Sequence, residues 1–353
     1  MMSAPVQSVL ADSTVGDALS KLGQTGEALA VVFGIGLIVF FAAGRATGRL
    51  HRPVTLVVLL GPAGRPHRPV TIVVLLGPAL VLLAVGLVIP ALRTIYLSFR
   101  SDDSSSFVGG KNFGWAFTNG STQQALLNSL LWIVIAPFLA TLLGLLLAVL
   151  VDRMRWQSLY KSLIFMPMAI SFVGASIIWK FVYDYRDPAQ PQDGLLSEIV
   201  MKLGWHNPPN WILSHPLNNF LLMVIMIWSQ TGFAMVVLSA AIKAIPDDII
   251  DAAKVDGARG LAMAFRITLP MIRSTLIVVL TTVMIITLKL FDIIRTMTGG
   301  NFGTEVLAND MYSQAFVQFD NGRASALAVI LFAGVLPLVG YNIVLLRRER
   351  QIR

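Results

Sequence analysis

Side chains able to do covalent chemistry are scarce in this sequence and poorly placed for it. There is no cysteine, which removes disulfides and thiolate metal sites. Ser176, in Gly174-Ala175-Ser176, lies in an apolar run where a serine nucleophile would need a histidine facing it. His51, His67, His206 and His215 all fall in loop-like stretches, so that reading is rejected. No HExxH motif or metal-ligand cluster occurs, and no metal site is expected. Gly109-Gly110-Lys111 lacks the spacing of a phosphate-binding loop, so the chain is not expected to bind ATP. The informative spacing is mechanical. Asp251-Ala252-Ala253-Lys254 is followed by Asp256-Gly257 and then by Ile267-Thr268-Leu269-Pro270, with a charge on almost every turn.

Ile245-Pro246-Asp247-Asp248 reads as a helix start, because proline suits the first turn and aspartates favour the positive end of the helix dipole. A short helix is expected to about Asp256, stopped by Gly257 in a left-handed conformation. Ala252 and Ala253 are small enough to let another protein approach the backbone. A second helical stretch should run to Leu269, with Pro270 marking the turn back. The unit is a stiff lever between two apolar segments.

Polar groups inside apolar runs are the other candidates. Ser229 and Gln230, with Thr287 in a later run, offer hydrogen bonds to a neutral polar solute, and Phe233 offers a stacking face four residues beyond Ser229. Lys289 and Asp292, three apart, read as an internal ion pair that neutralises both charges. Thr281 and Thr282 read as bonding back to their own helix.

These residues need a membrane around them. The chain has 353 residues, of which 56% are hydrophobic and only 13% charged, a deficit that a lipid-facing surface requires. Seven stretches approach the ~20 helical residues needed to cross a bilayer. They lie near Ala28–Gly44, Val70–Phe99, Ala125–Val151, Leu159–Tyr183, Leu217–Ile242, Thr275–Thr296 and Ala324–Leu346. Backbone polar groups in lipid must be satisfied within the segment, so the fold class is all-α: a polytopic integral membrane protein with about seven transmembrane helices. Lysines and arginines divide unequally between the two sides. Seventeen fall in 45–69, 152–161, 243–274 and the C-terminal tail, against seven on the other side. The richer side is expected in the cytoplasm, which puts the N-terminus outside and the C-terminus inside. The net charge of +8 is then a property of these loops, and no nucleic-acid partner is expected.

Residues 1–27 are polar and expected to be loosely ordered. Residues 28–69 read as an extra first span and a basic linker. The first apolar run lacks the basic flank of a signal peptide and is expected to be retained. HRPVTLVVLLGP at His51–Pro62 recurs as HRPVTIVVLLGP at His67–Pro78, a local tandem duplication that lengthens the linker. The 184–216 stretch reads as a loop with a little helix around Gly194–Leu203.

The Asp251–Pro270 pattern resembles the EAA loop of permease subunits of bacterial binding-protein-dependent ABC importers, with Asp251 where that family usually has Glu. The likeness extends over roughly Val70 to Arg350. Phe291-Asp292-Ile293-Ile294, Met297-Thr298-Gly299-Gly300 and Gly322-Arg323-Ala324-Ser325-Ala326 resemble the maltose-type sugar permeases. Asn301–Tyr312 resembles their α-glucoside branch. The resemblance implies a six-helix permease domain over 70–353 with its coupling loop at 243–274. It implies ATPase-coupling roles for Asp251, Ala252, Ala253, Lys254, Asp256, Gly257, Ile267, Leu269 and Pro270. It also implies a second homologous permease, two ATPase subunits that bind the ATP and Mg, and an extracytoplasmic sugar-binding protein, in the bacterial cytoplasmic membrane. This chain would need no cofactor of its own. An ion-coupled secondary transporter is the alternative, but Asp292 is the one clear intramembrane carboxylate.

The charge asymmetry makes a direct prediction. A cysteine introduced at position 254 should react with impermeant thiol reagents from the cytosolic side of inverted vesicles. Labelling from outside intact cells would overturn the orientation.

Overall fold

The computed structural model describes residues 76–352, apart from 78, 153, 188, 189, 191, 192 and 206. The expected first span at 28–44, the 1–27 segment and the tandem repeat up to residue 75 lie outside the described residues. Two compact units are distinguished, Met1–Arg93 and Thr94–Arg353. The described residues of the first are helical, and those from Ala79 on belong to α1 (Ala79–Leu97), which lies within the run expected at 70–99.

In the second unit, the described residues form helices joined by loops, with no strand beyond an isolated bridge between Arg100 and Phe107. After α2 (Lys111–Thr118) comes α3 (Gly120–Val151), whose N-cap Asn119 accepts a bond from the Thr122 N–H. At 32 residues it is about 48 Å long, more than the hydrocarbon core of a bilayer requires. The next long helices are α7 (Leu217–Lys243), α9 (Ala264–Leu288) and α12 (Asn321–Ile352). With α1, five described helices are long and apolar enough to cross a membrane.

The expected single span at 159–183 is broken. Helix α4 (Gln157–Phe165) runs into a 3-10 turn at Met166–Ala169, and α5 (Phe172–Val182) leaves at about 100° to it. Pro167 supplies no N–H to continue the α-helix, Ile170 is extended, and Ser171 caps the new helix by accepting from the Gly174 N–H at 3.1 Å. Beyond it, α6 (Leu195–Lys202) is the short helix expected near 194–203.

Pro137 and Pro337 lie within α3 and α12, and two further prolines are carried without a break behind π-turns. A π-turn at Ala84–Val88 ends just before Ile89-Pro90, and another at Ala264–Thr268 ends just before Leu269-Pro270. In each, the residue preceding the proline bonds five residues back. The widened turn makes room for a ring that would otherwise strike a helical carbonyl.

The bundle is organised on α3 and α7. Their contacts ascend together: Asn219 donates to Asn128, a Cβ on Gly144 would lie 2.5 Å from that of Ala234, and Ser239 donates to Asp152 at 2.9 Å. The two helices are therefore parallel. Helix α12 runs antiparallel to α9, since Thr281 bonds Asn342 while Leu288 packs at Gly334. Trp132, Leu222, Met226, Val283 and Ile293 form one core cluster, and Ala148, Val151, Leu238, Ile245 and Ile272 another.

At the end holding the N-termini of α3 and α7, asparagines pin a loop. Asn128 donates to the carbonyls of Gly303 and Glu305 at 2.8 Å, and Asn218 to that of Phe302 at 2.9 Å. This loop leads into α11 (Leu307–Phe316), so the Asn301–Tyr312 run is partly loop and partly helix. Burial raises the Glu305 carboxyl above its ordinary value, with Asp310 adding to the effect and an Asn309 hydrogen bond opposing it.

Close helix approach yields a stability prediction. A Cβ at Gly232 on α7 would overlap the Ile164 carbonyl of α4, whereas nothing lies within 4 Å of one at Gly114. Gly232→Val should cost about 1–3 kcal/mol and lower the melting temperature in detergent, with Gly114→Ala as the control. Equal melting temperatures would contradict the close packing.

Candidate functional site

Between α7 and α9 the chain leaves the bundle at the end that holds Asp152. Helix α8 (Asp247–Val255) starts after Pro246, whose ψ of 135° lies outside the helix, and carries Asp247 and Asp248 in its first turn and Lys254 in its last. Both charge signs match the helix dipole. Gly257 has φ +83°. Its N–H bonds the Lys254 carbonyl at 3.0 Å, and the Ala258 N–H bonds Ala253 at 2.9 Å. This reciprocal pair is a Schellman ending, which satisfies carbonyls left without helical partners. The expected left-handed stop at Gly257 is therefore present.

The expected geometry needs correction in three places. Ala253 is buried and Ala252 exposed, so only Ala252 offers its small side chain outward. The second helical stretch does not end at Leu269. Leu261–Met263 leads directly into the π-turn that opens α9, so Leu269 and Pro270 belong to the long helix and Pro270 makes no turn. The connection between the long helices accordingly spans 244–263, shorter than the expected 243–274.

An open groove of about 410 Å3 lies between α8 and the π-turn, lined by Ile249, Ala252, Ala253, Ala258 and Ile267 with the carboxylates of Asp248 and Asp256. It brings together Ala252, Ala253, Asp256 and Ile267 from the sequence candidates. Ile249 and Ala258 were not singled out, though Ile249 sits three and four residues before Ala252 and Ala253 and so shares their face. Asp251 pairs with Lys254 at 2.7 Å, but both are largely exposed and the pair contributes little to stability. Ile245 is buried, and Ile250 packs on the same cluster as Ala148, Val151 and Leu238, so the base of α8 is seated on the bundle.

Among the residues expected to meet substrate, Ser229 and Gln230 are buried on α7, and the Gln230 Oε1 is buried with no hydrogen-bond partner. Phe233 packs against both core clusters. Thr287 is buried in the last turn of α9, its hydroxyl donating to the Val283 carbonyl at 2.8 Å. Thr281 and Thr282 bond back to their helix as expected. The Lys289–Asp292 ion pair is not formed. The long helix ends at Leu288, Lys289 is exposed at the break, and Asp292 opens the separate α10 (Asp292–Met297). Without a continuous helix, residues three apart no longer share a face.

Residues 140–351, from within α3 through most of α12, match the family of binding-protein-dependent transport system inner membrane components. The chain belongs to that family. Among its relatives is the osmoprotective compounds uptake permease protein GgtC of Synechocystis, 50% identical over 78% of this chain and 98% of that protein. Another is the alpha-glucoside transport system permease protein AglF of Rhizobium meliloti, 47% identical over 75% of this chain and 79% of that one. A bacterial ABC transporter crystallised for its import of the acidic polysaccharide alginate shares the fold. Its TM-score is 0.68 at 20% identity, covering 80% of this chain and 96% of that one. The chain is thus a transport component and not an enzyme.

In this permease, the strain of replacing Gly257 comes from its backbone angle alone, since no atom lies within 4 Å of an added Cβ. Gly257→Val should cost about 1–2 kcal/mol at the turn and abolish transport while leaving membrane insertion intact. Gly257→Asn should be milder, because asparagine tolerates the left-handed region. Normal uptake by the valine variant would count against α8 acting as a lever.

Proposed function

We propose that this chain is one of two membrane-spanning subunits of an ATP-driven sugar importer. It forms half of the translocation path and converts closure of partner ATPase subunits into movement of its helices. The observation that carries this reading is α8: a helix with a fixed stop, seated at one end of the bundle and presenting a groove, in a chain of the permease family. The partners that fit are a second homologous permease, two ATPase subunits holding the ATP and Mg, and an extracytoplasmic binding protein. One related alginate transporter was crystallised with such a periplasmic protein.

The chain path supports a six-crossing core. Parallel α3 and α7 require one return crossing between them, and the bent pair α4–α5 is the segment available, a broken span. The α8 end also carries Arg155, Lys161, Lys243, Lys254, Arg259, Arg266 and Arg273. That bias supports a cytoplasmic placement of α8 in the bacterial inner membrane, with the N-terminus outside and the C-terminus inside.

The substrate class rests on the 47% relative named for alpha-glucosides and on the absence of charge from Ser229, Gln230, Phe233 and Thr287. A buried amide oxygen lacking a donor suits a sugar hydroxyl. Gln230→Ala should weaken α-glucoside uptake by about 5- to 100-fold, the equivalent of one hydrogen bond of about 1–3 kcal/mol, with complex assembly unchanged. Wild-type uptake by this variant would place the sugar contacts on the other permease.

A further inference from the structure

A cluster of charged groups at the α8 end has no part in the groove or in the mid-span residues. Asp152, at the end of α3, is nearly buried, its side chain 13% exposed. It accepts from the Ser239 hydroxyl of α7 at 2.9 Å and pairs with Lys161 of α4 at 2.5 Å. Lys161 donates in turn to Ser239. Lys243, the last residue of α7, approaches Asp152 at 3.5 Å and donates to Gln157 of α4 at 2.7 Å. Three helices thus meet on one carboxylate, and four residues beyond Lys243 the chain enters α8.

The placement matters mechanically. Force applied to α8 enters the bundle through Lys243–Pro246 and through Ile245 and Ile250 on the core. Without a lateral tie, a push there would tilt α7 alone. A desolvated carboxylate with two ammonium partners holds its geometry better than exposed pairs do, because separating it leaves a buried charge uncompensated. The tie also reaches α4, the first half of the broken span, so it links the lever to the helix whose far end is bent.

We propose that Asp152, Lys161, Ser239 and Lys243 form a strut that makes α3, α4 and α7 move with α8 as one body, and that Asp152 is a positioning residue for transport. The transport part rests on the importer reading above; the mechanical part does not. In the full complex in proteoliposomes, Asp152→Asn should lower sugar moved per ATP hydrolysed by about tenfold or more, with ATP hydrolysis persisting. Asp152→Glu should recover most of the ratio, and Lys243→Met should lower it less than Asp152→Asn, because Lys243 is the more exposed and more distant partner. Spin labels on cysteines introduced at Leu150 and Val255 of the otherwise cysteine-free chain give a readout independent of transport. Their distance distribution should broaden in Asp152→Asn. An unchanged transport ratio with an unchanged distribution overturns the strut. So does loss of assembled complex in every Asp152 variant, including Glu, which would mean a folding role alone. If wild-type complex moved no sugar, the importer reading would fail, and the label distances would still decide the strut.

Discussion

Everything in the described bundle depends on α3 and α7 lying parallel and close. Gly144 makes this possible, since a Cβ there would reach Ala234 and the Met235 backbone. Helix association in lipid gains nothing from excluding water from apolar faces, so small residues and polar contacts must supply it. Polar contacts close the pair at both ends, Asn128 and Trp132 with Asn219 at one and Asp152 with Ser239 at the other. Between them Gly144 sits against Ala234 and the Met235 backbone.

Parallel packing then dictates the rest of the chain path. The chain has to come back between two parallel helices, and the stretch between them holds α4 and α5, bent by about 100° near Pro167 and Ser171. Helix α9 returns antiparallel, and the connection from α7 to α9 emerges at the Asp152 end, where α8 is displayed. Rigidity at that end and an open groove beside it are what a lever needs. Mid-span, α7 contributes an unpaired amide oxygen, a group costly to bury unless something arrives to satisfy it.

Much of this was legible in the sequence. Leu217–Lys243 was expected to within a residue, because an uninterrupted apolar run bounded by proline and lysine leaves little freedom. Helix α8 and its stop at Gly257 were legible from Pro246, Asp247, Asp248 and the glycine, each tied to a backbone requirement. The breaks were not. Pro167 interrupts a helix, whereas Pro90, Pro137, Pro270 and Pro337 are carried within one, and residue types alone do not reveal which will happen. Hydropathy carried the sixth expected span through Lys289 to Thr296, whereas the helix stops at Leu288. Ala253 is buried and Ala252 exposed because of what packs around α8 in the folded chain, which has no local signature. The Asp152 cluster joins residues some 90 positions apart and was equally invisible.

The central claim is that α8 is the surface on which a partner ATPase acts. The most direct measurement is cross-linking from Ala252→Cys, the outward alanine of the groove, in the purified complex with its ATPase subunits. The account predicts an efficient cross-link to the ATPase that varies with bound nucleotide, and none from Phe302→Cys at the opposite end of the bundle. A cross-link to the ATPase from position 302 but not from 252 would contradict it.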